Sequence, residues 1–157
     1  MIDSYSEIRD LDATDQIFDL TNKVGVIAGG CGKLGLQFAK VLARAGAHVV
    51  LIDRQVPDKN VFDEFFKDFS DQITGVMCDV TDQEQVQKTF EDVNNRFDRL
   101  DFFIGNVMAK PEGYYDNIME YTPEAWRKVI DANVTGTFFC CQEASAHMRR
   151  SSNGGSI

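Results

Sequence analysis

Apolar positions in this chain follow two rhythms. Short runs rich in Val, Ile, Leu and Phe occupy residues 24–28, 48–53, 73–78 and 100–105. Longer stretches, at 33–45, 61–69, 83–97 and 124–148, repeat apolar residues every three or four positions. Continuous runs bounded by turn residues read as strands buried on both faces, and three-to-four spacing reads as helix packed along one side. Strands alternating with helices imply parallel pairing through right-handed crossovers. The fold class expected is α/β, a doubly wound parallel sheet of four strands. Residues 154–157 read as a turn and the start of a fifth.

Local signals place the boundaries. Gly46 stops the first helix in the manner of a C-cap glycine. Phe62, Phe65, Phe66 and Phe69 form an aromatic stripe at i, i+3, i+4 and i+7, which reads as packing against the sheet. Thr81 with Glu84 is a capping-box pattern opening the helix at 83. Residues 108–121, with Pro111, Gly113 and the pair Tyr114-Tyr115, read as a loop whose tyrosines stack on a ligand or fill the loop. Thr122 then caps and Pro123 starts one long helix, inside which Gly136 marks a bend or close packing. Residues 1–20 carry Asp3, Glu7, Asp10, Asp12, Asp15 and Asp19 and read as an acidic surface arm with a helical turn near Ile17-Phe18. The domain organisation expected is this arm, then a single α/β domain over 21–157, incomplete at its C-terminus.

The chemistry concentrates where the first run breaks into glycine, V-G-V-I-A-G-G-C-G-K-L-G. Gly29, Gly32 and Gly35 fall three apart between a strand and a helix. A tight turn off a strand needs a residue tolerant of positive φ, and backbone touching a pyrophosphate has no room for side chains. The helix then offers unpaired N–H groups to phosphate charge. Asp53 ends the second strand, about 20 residues on, where a carboxylate accepts both hydroxyls of an adenosine ribose. This context fits a Rossmann-type dinucleotide site; the alternative is a structural turn beside a solvated Asp53. A triphosphatase loop is excluded, because Leu34 rather than Ser or Thr follows Gly32-Lys33.

Composition narrows the partners. The 157 residues are 43% hydrophobic and 26% charged, enough for one globular domain with a sizeable core. A formal net charge of −9 argues against nucleic acid and against an anionic membrane surface. No apolar run approaches the ~20 residues that span a bilayer. Met1-Ile2-Asp3-Ser4 lacks the regions of a signal peptide. Cys31, Cys78, Cys140 and Cys141 have no C-x-x-C spacing, and His48 and His147 stand apart from them, so no metal site is expected. Reduced thiols in a cytoplasmic protein is the reading.

With these residues in view, the chain resembles the short-chain dehydrogenase/reductases over 18–157. Ala28-Gly29-Gly30-Cys31-Gly32-Lys33-Leu34-Gly35 is similar to that family's G-x-x-G-x-x-G motif, with Ala28 where Thr is usual. Cys78-Asp79-Val80-Thr81 resembles the segment whose Asp and next apolar residue hold adenine. The family's N-N-A-G reads G-N-V-M here, from Gly105 to Met108, so only Asn106 is retained. Trp126 to Asn133, W-R-K-V-I-D-A-N, is close to the usual text. The resemblance implies an NAD(P)-dependent oxidoreductase acting on an alcohol or ketone. It makes Gly29, Cys31, Gly32, Lys33, Leu34, Gly35, Asp53, Arg54, Asp79, Val80, Asn106 and Val107 the cofactor residues. Asn133 becomes the Asn of the Asn-Ser-Tyr-Lys catalytic set, holding a water that links the Lys to solvent. Read alone, Asn133 is a polar residue bonding locally within a helix.

No Tyr follows Tyr121 and no Lys follows Lys128, so that set's Ser, Tyr and Lys are not in the sequence. The expectation is the first part of a longer enzyme. The competing reading is a non-catalytic dinucleotide-binding module. A methyltransferase on a similar sheet is disfavoured by the match at 126–133. NAD is expected over NADP, since Asp53 repels a 2′-phosphate; Arg54 and Lys33 either offset this or are surface charges. The glycine loop and its lead are reminiscent of family members acting on sugar acids or nucleotide sugars. The long helix is where many relatives pair, implying a homodimer or homotetramer.

Overall fold

A computed structural model describes residues 18–150 and 154–157. Most of the acidic arm therefore lies outside the described residues. Among the described residues, four strands form one parallel sheet in the order β3-β2-β1-β4. They are β1 (Val24–Ala28), β2 (His48–Asp53), β3 (Ile73–Met77) and β4 (Phe102–Gly105). Ser156 makes a parallel bridge to Phe102, so the fifth strand begins beside β4. The order reverses between β1 and β4, and the crevice above such a reversal is where open α/β sheets hold ligands.

Two apolar layers clamp the sheet, because its alternate side chains point to opposite faces. One face joins Val24, Val26, Ile52 and Phe103 to Val86, Phe90, Cys140 and Ala144 of helices α3 (Gln83–Phe97) and α5 (Thr137–Arg150). The other joins Ile27, Val49, Leu51 and Ile73 to Ala39 and Ala43 of α1 (Lys33–Arg44) and Phe62 of α2 (Lys59–Phe65). Gly46, at φ +99°, ends α1 as its sequence position predicts.

Several boundaries depart from expectation. The aromatic stripe splits: a 3₁₀ turn (Lys67–Phe69) follows α2, Phe62 and Phe66 are buried, and Phe65 stays at the surface under Lys40. Asp82, not Thr81, caps α3, accepting the Glu84 and Gln85 N–H groups, because Thr81 donates its hydroxyl to Asp79 instead. β4 starts at Phe102 rather than Leu100; only Phe103 is fully buried, while Phe102 and Ile104 are half-covered. The long helix is interrupted. After α4 (Pro123–Ile130) comes a π turn (Asp131–Gly136), then α5. Thr122 caps α4 as expected, accepting the Ala125 N–H at 3.1 Å. Gly136 is a close-packing glycine: a Cβ there would lie 2.9 Å from the Val80 carbonyl oxygen.

Charge fixes the opposite end of the sheet. Asp101 accepts both prongs of Arg99 at 2.7 and 2.6 Å, the Val24 N–H at 2.9 Å and the Lys23 ammonium at 3.1 Å. Burial pushes this carboxyl up, and the bonds from Arg99, Val24 and Lys23 outweigh it, leaving it at about 2.

Candidate functional site

The glycine turn divides its glycines by task. Gly29 takes φ +69°, and a Cβ on it would lie 2.5 Å from the Asn106 carbonyl oxygen. Gly30 admits no side chain because Ile27 O and Leu51 Cβ would stand within 2.8 Å. Gly35 lies buried beneath the turn, where a Cβ would meet backbone of Gly29 and Gly30 within 2.7 Å. These glycines let the chain pack on itself. Gly32 differs: its φ of −74° suits any residue, and the nearest atom to an added Cβ is Gly29 O at 3.4 Å. It is also the N-cap of α1 with no side-chain cap, and the first turn holds Lys33 and no acid. Bare N–H groups and a cation thus face open space, which suits a phosphate.

Two side-chain hydrogen bonds, from Cys31 to Asp53 and from Asn106 to Gly29, tie the other strand ends to this turn. Asp53 Oδ2 accepts the Cys31 N–H at 3.2 Å, and Oδ1 accepts the Gln55 N–H at 3.4 Å. Asn106 donates Nδ2 to Gly29 O at 3.1 Å. Asp79 Oδ1 accepts the Thr81 N–H and hydroxyl at 3.0 and 2.8 Å, which fixes the segment next to Val80. Above them runs a cleft of about 420 Å³, lined by Gly29, Gly32, Lys33, Leu34, Asp53, Arg54, Asp79, Val80, Asn106 and Val107. Cys31 and Gly35 are not on its wall. The Cys31 side chain packs into the core beside α1, and burial followed by the Asp53 charge pushes its thiol up to about 11.

Asn133 sits in the π turn behind the cleft, its Oδ1 accepting the Ala109 N–H at 2.7 Å. It therefore fixes the loop after β4. That loop contributes Met108, Ala109 and Lys110 to the cleft, none of them among the candidate cofactor residues. A second chamber of about 650 Å³ adjoins it, sharing Arg54, Thr81, Ala109, Lys110 and Ala132. Asp131 and Thr135 of the π turn are also on its wall. The only local signal for these residues is Asn133, and its partner is distant in sequence. Among the described residues, no three His, Cys, Asp or Glu side chains gather as a metal site.

A family profile described as short chain dehydrogenase matches residues 23–157. The chain belongs to the short-chain dehydrogenase family. Among its relatives, mouse dehydrogenase/reductase SDR family member 4 is 28% identical over 138 residues, covering 88% of this chain and 48% of that protein. The NADP-dependent mannitol dehydrogenase of Alternaria alternata is 27% identical over 154 residues, covering 95% and 54%. An NAD+-bound xylitol dehydrogenase structure superposes with a TM-score of 0.79 at 25% identity, covering 87% and 52%. An ElxO structure with NADP bound gives 0.77 at 28% identity, covering 85% and 53%. The chain thus spans about half the length of the curated relatives it matches. Structures of this short-chain dehydrogenase family bind either dinucleotide. No helix among the described residues is long and apolar enough to cross a membrane.

Proposed function

We propose that this chain is the dinucleotide-holding part of a short-chain dehydrogenase that moves hydride between a nicotinamide cofactor and an alcohol or ketone. The observation that carries the reading is Gly32. It is a helix N-cap needing no glycine for its own packing, open to the cleft, with Asp53 tied to the same turn. The α1 N-terminus and Lys33 hold the pyrophosphate, Asp53 the adenosine ribose, and Asp79 with Val80 the adenine. Asn106 and Asn133 hold the two walls in register. The cofactor, when bound, supplies the hydride. Beyond fixing Ala109, Asn133 keeps an amide NH₂ with which to hold the water that the family assigns to it.

NAD is the cofactor we favour. A carboxylate 4 Å from a phosphate charge is repelled by ~4 kcal/mol at an effective dielectric near 20. That corresponds to roughly a thousandfold preference. Arg54 and Lys33 line the same cleft and lower this figure, which keeps NADP as the second reading. The substrate class we favour is a sugar or sugar alcohol. Relatives named for mannitol, sorbose and fucose support it, rather than the sugar acids and nucleotide sugars that the loop brings to mind. A cytoplasmic setting suits the four free cysteines. Exposed Trp126, Val134 and Phe138 along the interrupted helix support pairing with a second copy.

The test is calorimetric titration of NAD and NADP into the full-length protein and its Asp53→Ala variant. The native protein is expected to bind NAD more tightly, and the variant to lose that preference. Unchanged affinity for both would remove Asp53 from the ribose site.

A further inference from the structure

We infer that His147 makes the seam between α5 and α3 an acid-sensitive latch. His147 is 3% exposed, one turn from the end of α5, its ring stacked on Phe90 of α3 at 6.3 Å and 17°. Phe90 in turn meets Phe103 of β4 at 5.9 Å. The ring's Nε2 is 4.0 Å from Glu143 Oε2, beyond hydrogen-bond reach, and its Nδ1 is buried with no partner among the described residues. A neutral imidazole tolerates this, at the cost of one unsatisfied lone pair. Protonation places an N–H and a charge at both nitrogens, and among the described residues Nδ1 has no acceptor to meet it.

The charged groups around the ring do not compensate. On its own helix Glu143 favours the cation and Arg150 opposes it; α3 supplies Glu91, and β4 presents Phe103. Burial holds the imidazole below its ordinary 6.5, Arg150 adds to this, and Glu143 and Glu91 pull the other way. The sign follows. Below pH 6.5 the unfolded chain takes up a proton that the folded seam refuses, so stability falls as pH falls.

The consequence reaches the sheet. Met148, next to His147, packs against Gly155, where a Cβ would lie 2.4 Å from its Cγ. Gly155 precedes Ser156, which exchanges backbone bonds with Phe103 and Asp101. Acid loosening of the last turn of α5 therefore frees the chain where it rejoins β4.

The test compares urea midpoints of the full-length protein, His147→Phe and His147→Gln at pH 7.5 and 5.5. The native protein is expected to lose up to roughly tenfold more in its folding equilibrium constant than either variant across that interval. Equal losses in all three would overturn the proposal. Imidazole NMR of the unsubstituted protein is independent of whether the variants fold. A His147 ring that titrates above 6.5 refutes the latch, and one that stays neutral well below 6.5 supports it.

Discussion

Gly32 and Gly35 sit three residues apart in one motif, yet backbone closes in on Gly35 while Gly32 lines the cleft, and paired alanine substitutions separate these two settings. In Gly35→Ala the new Cβ meets Gly30 O at 2.5 Å, Gly30 Cα at 2.6 Å and Gly29 O at 2.7 Å. All three are backbone atoms of a turn pinned by N–H bonds from Gly29 and Gly30 to Ile52 O at 2.9 and 3.2 Å. None can give cheaply, so a cost of about 1–3 kcal/mol is expected, as for overpacking a core. In Gly32→Ala the nearest atom is 3.4 Å away and φ is −74°. Alanine is a poorer N-cap than glycine but stiffens the unfolded chain, so the net change is expected within about 1 kcal/mol. Binding should move the other way. A methyl group in the phosphate cradle breaks at least one charge-assisted hydrogen bond, worth about 1.5–3 kcal/mol, so NAD affinity should fall roughly tenfold or more. Urea unfolding and calorimetric titration of NAD into the full-length protein read the two quantities. If Gly32→Ala binds NAD as tightly as the native protein, the turn does not meet the pyrophosphate. If Gly35→Ala is as stable as native, the packing account fails.

Other perturbations test other parts of the frame. Asp101→Asn should cost about 2 kcal/mol at pH 7, from a carboxyl held at about 2 against 3.8. The contribution is present above pH 3.8 and lost as pH falls through 2, so the gap in urea stability should close in acid; a gap that persists there refutes the assignment. Gly136→Ala should cost about 1–3 kcal/mol by driving a Cβ against the Val80 backbone, and should also weaken NAD binding. Calorimetry showing native affinity would uncouple the π turn from the Val80 wall of the cleft. Thr122→Ala should cost about 1 kcal/mol, read as a lowered urea midpoint, because the Ala125 N–H loses its acceptor.

What could be read from the sequence was whatever a single segment decides. The β-branched runs made strands because their neighbours on both faces are helices, and Gly46 ended α1 because its φ of +99° excludes most other residues. The glycine motif and Asp53 were legible for the same reason: one turn off one strand and one carboxylate at the end of the next. The differences arise where a distant partner decides. Thr81 lost the cap of α3 because Asp79 took its hydroxyl. Phe65 left the stripe because α2 gives way to a 3₁₀ turn after it.

The π turn is the fullest case. Residues 131–136 keep the same apolar spacing as the helices on either side, so only Gly136, read as a bend or close packing, marks that turn locally. π turns cluster at functional sites, and here two contacts explain its position. Asn133 must reach Ala109 at the end of one wall of the cleft, and Gly136 must approach Val80 on the other. One helix thus sets the spacing of both cleft walls. Ala109, Lys110 and Thr135 follow from that spacing, and for this reason they escaped a reading that took each motif by itself. The prediction for Gly136→Ala therefore also tests the claim that the width of the cleft is fixed from behind, by the helix, and not by the glycine loop alone.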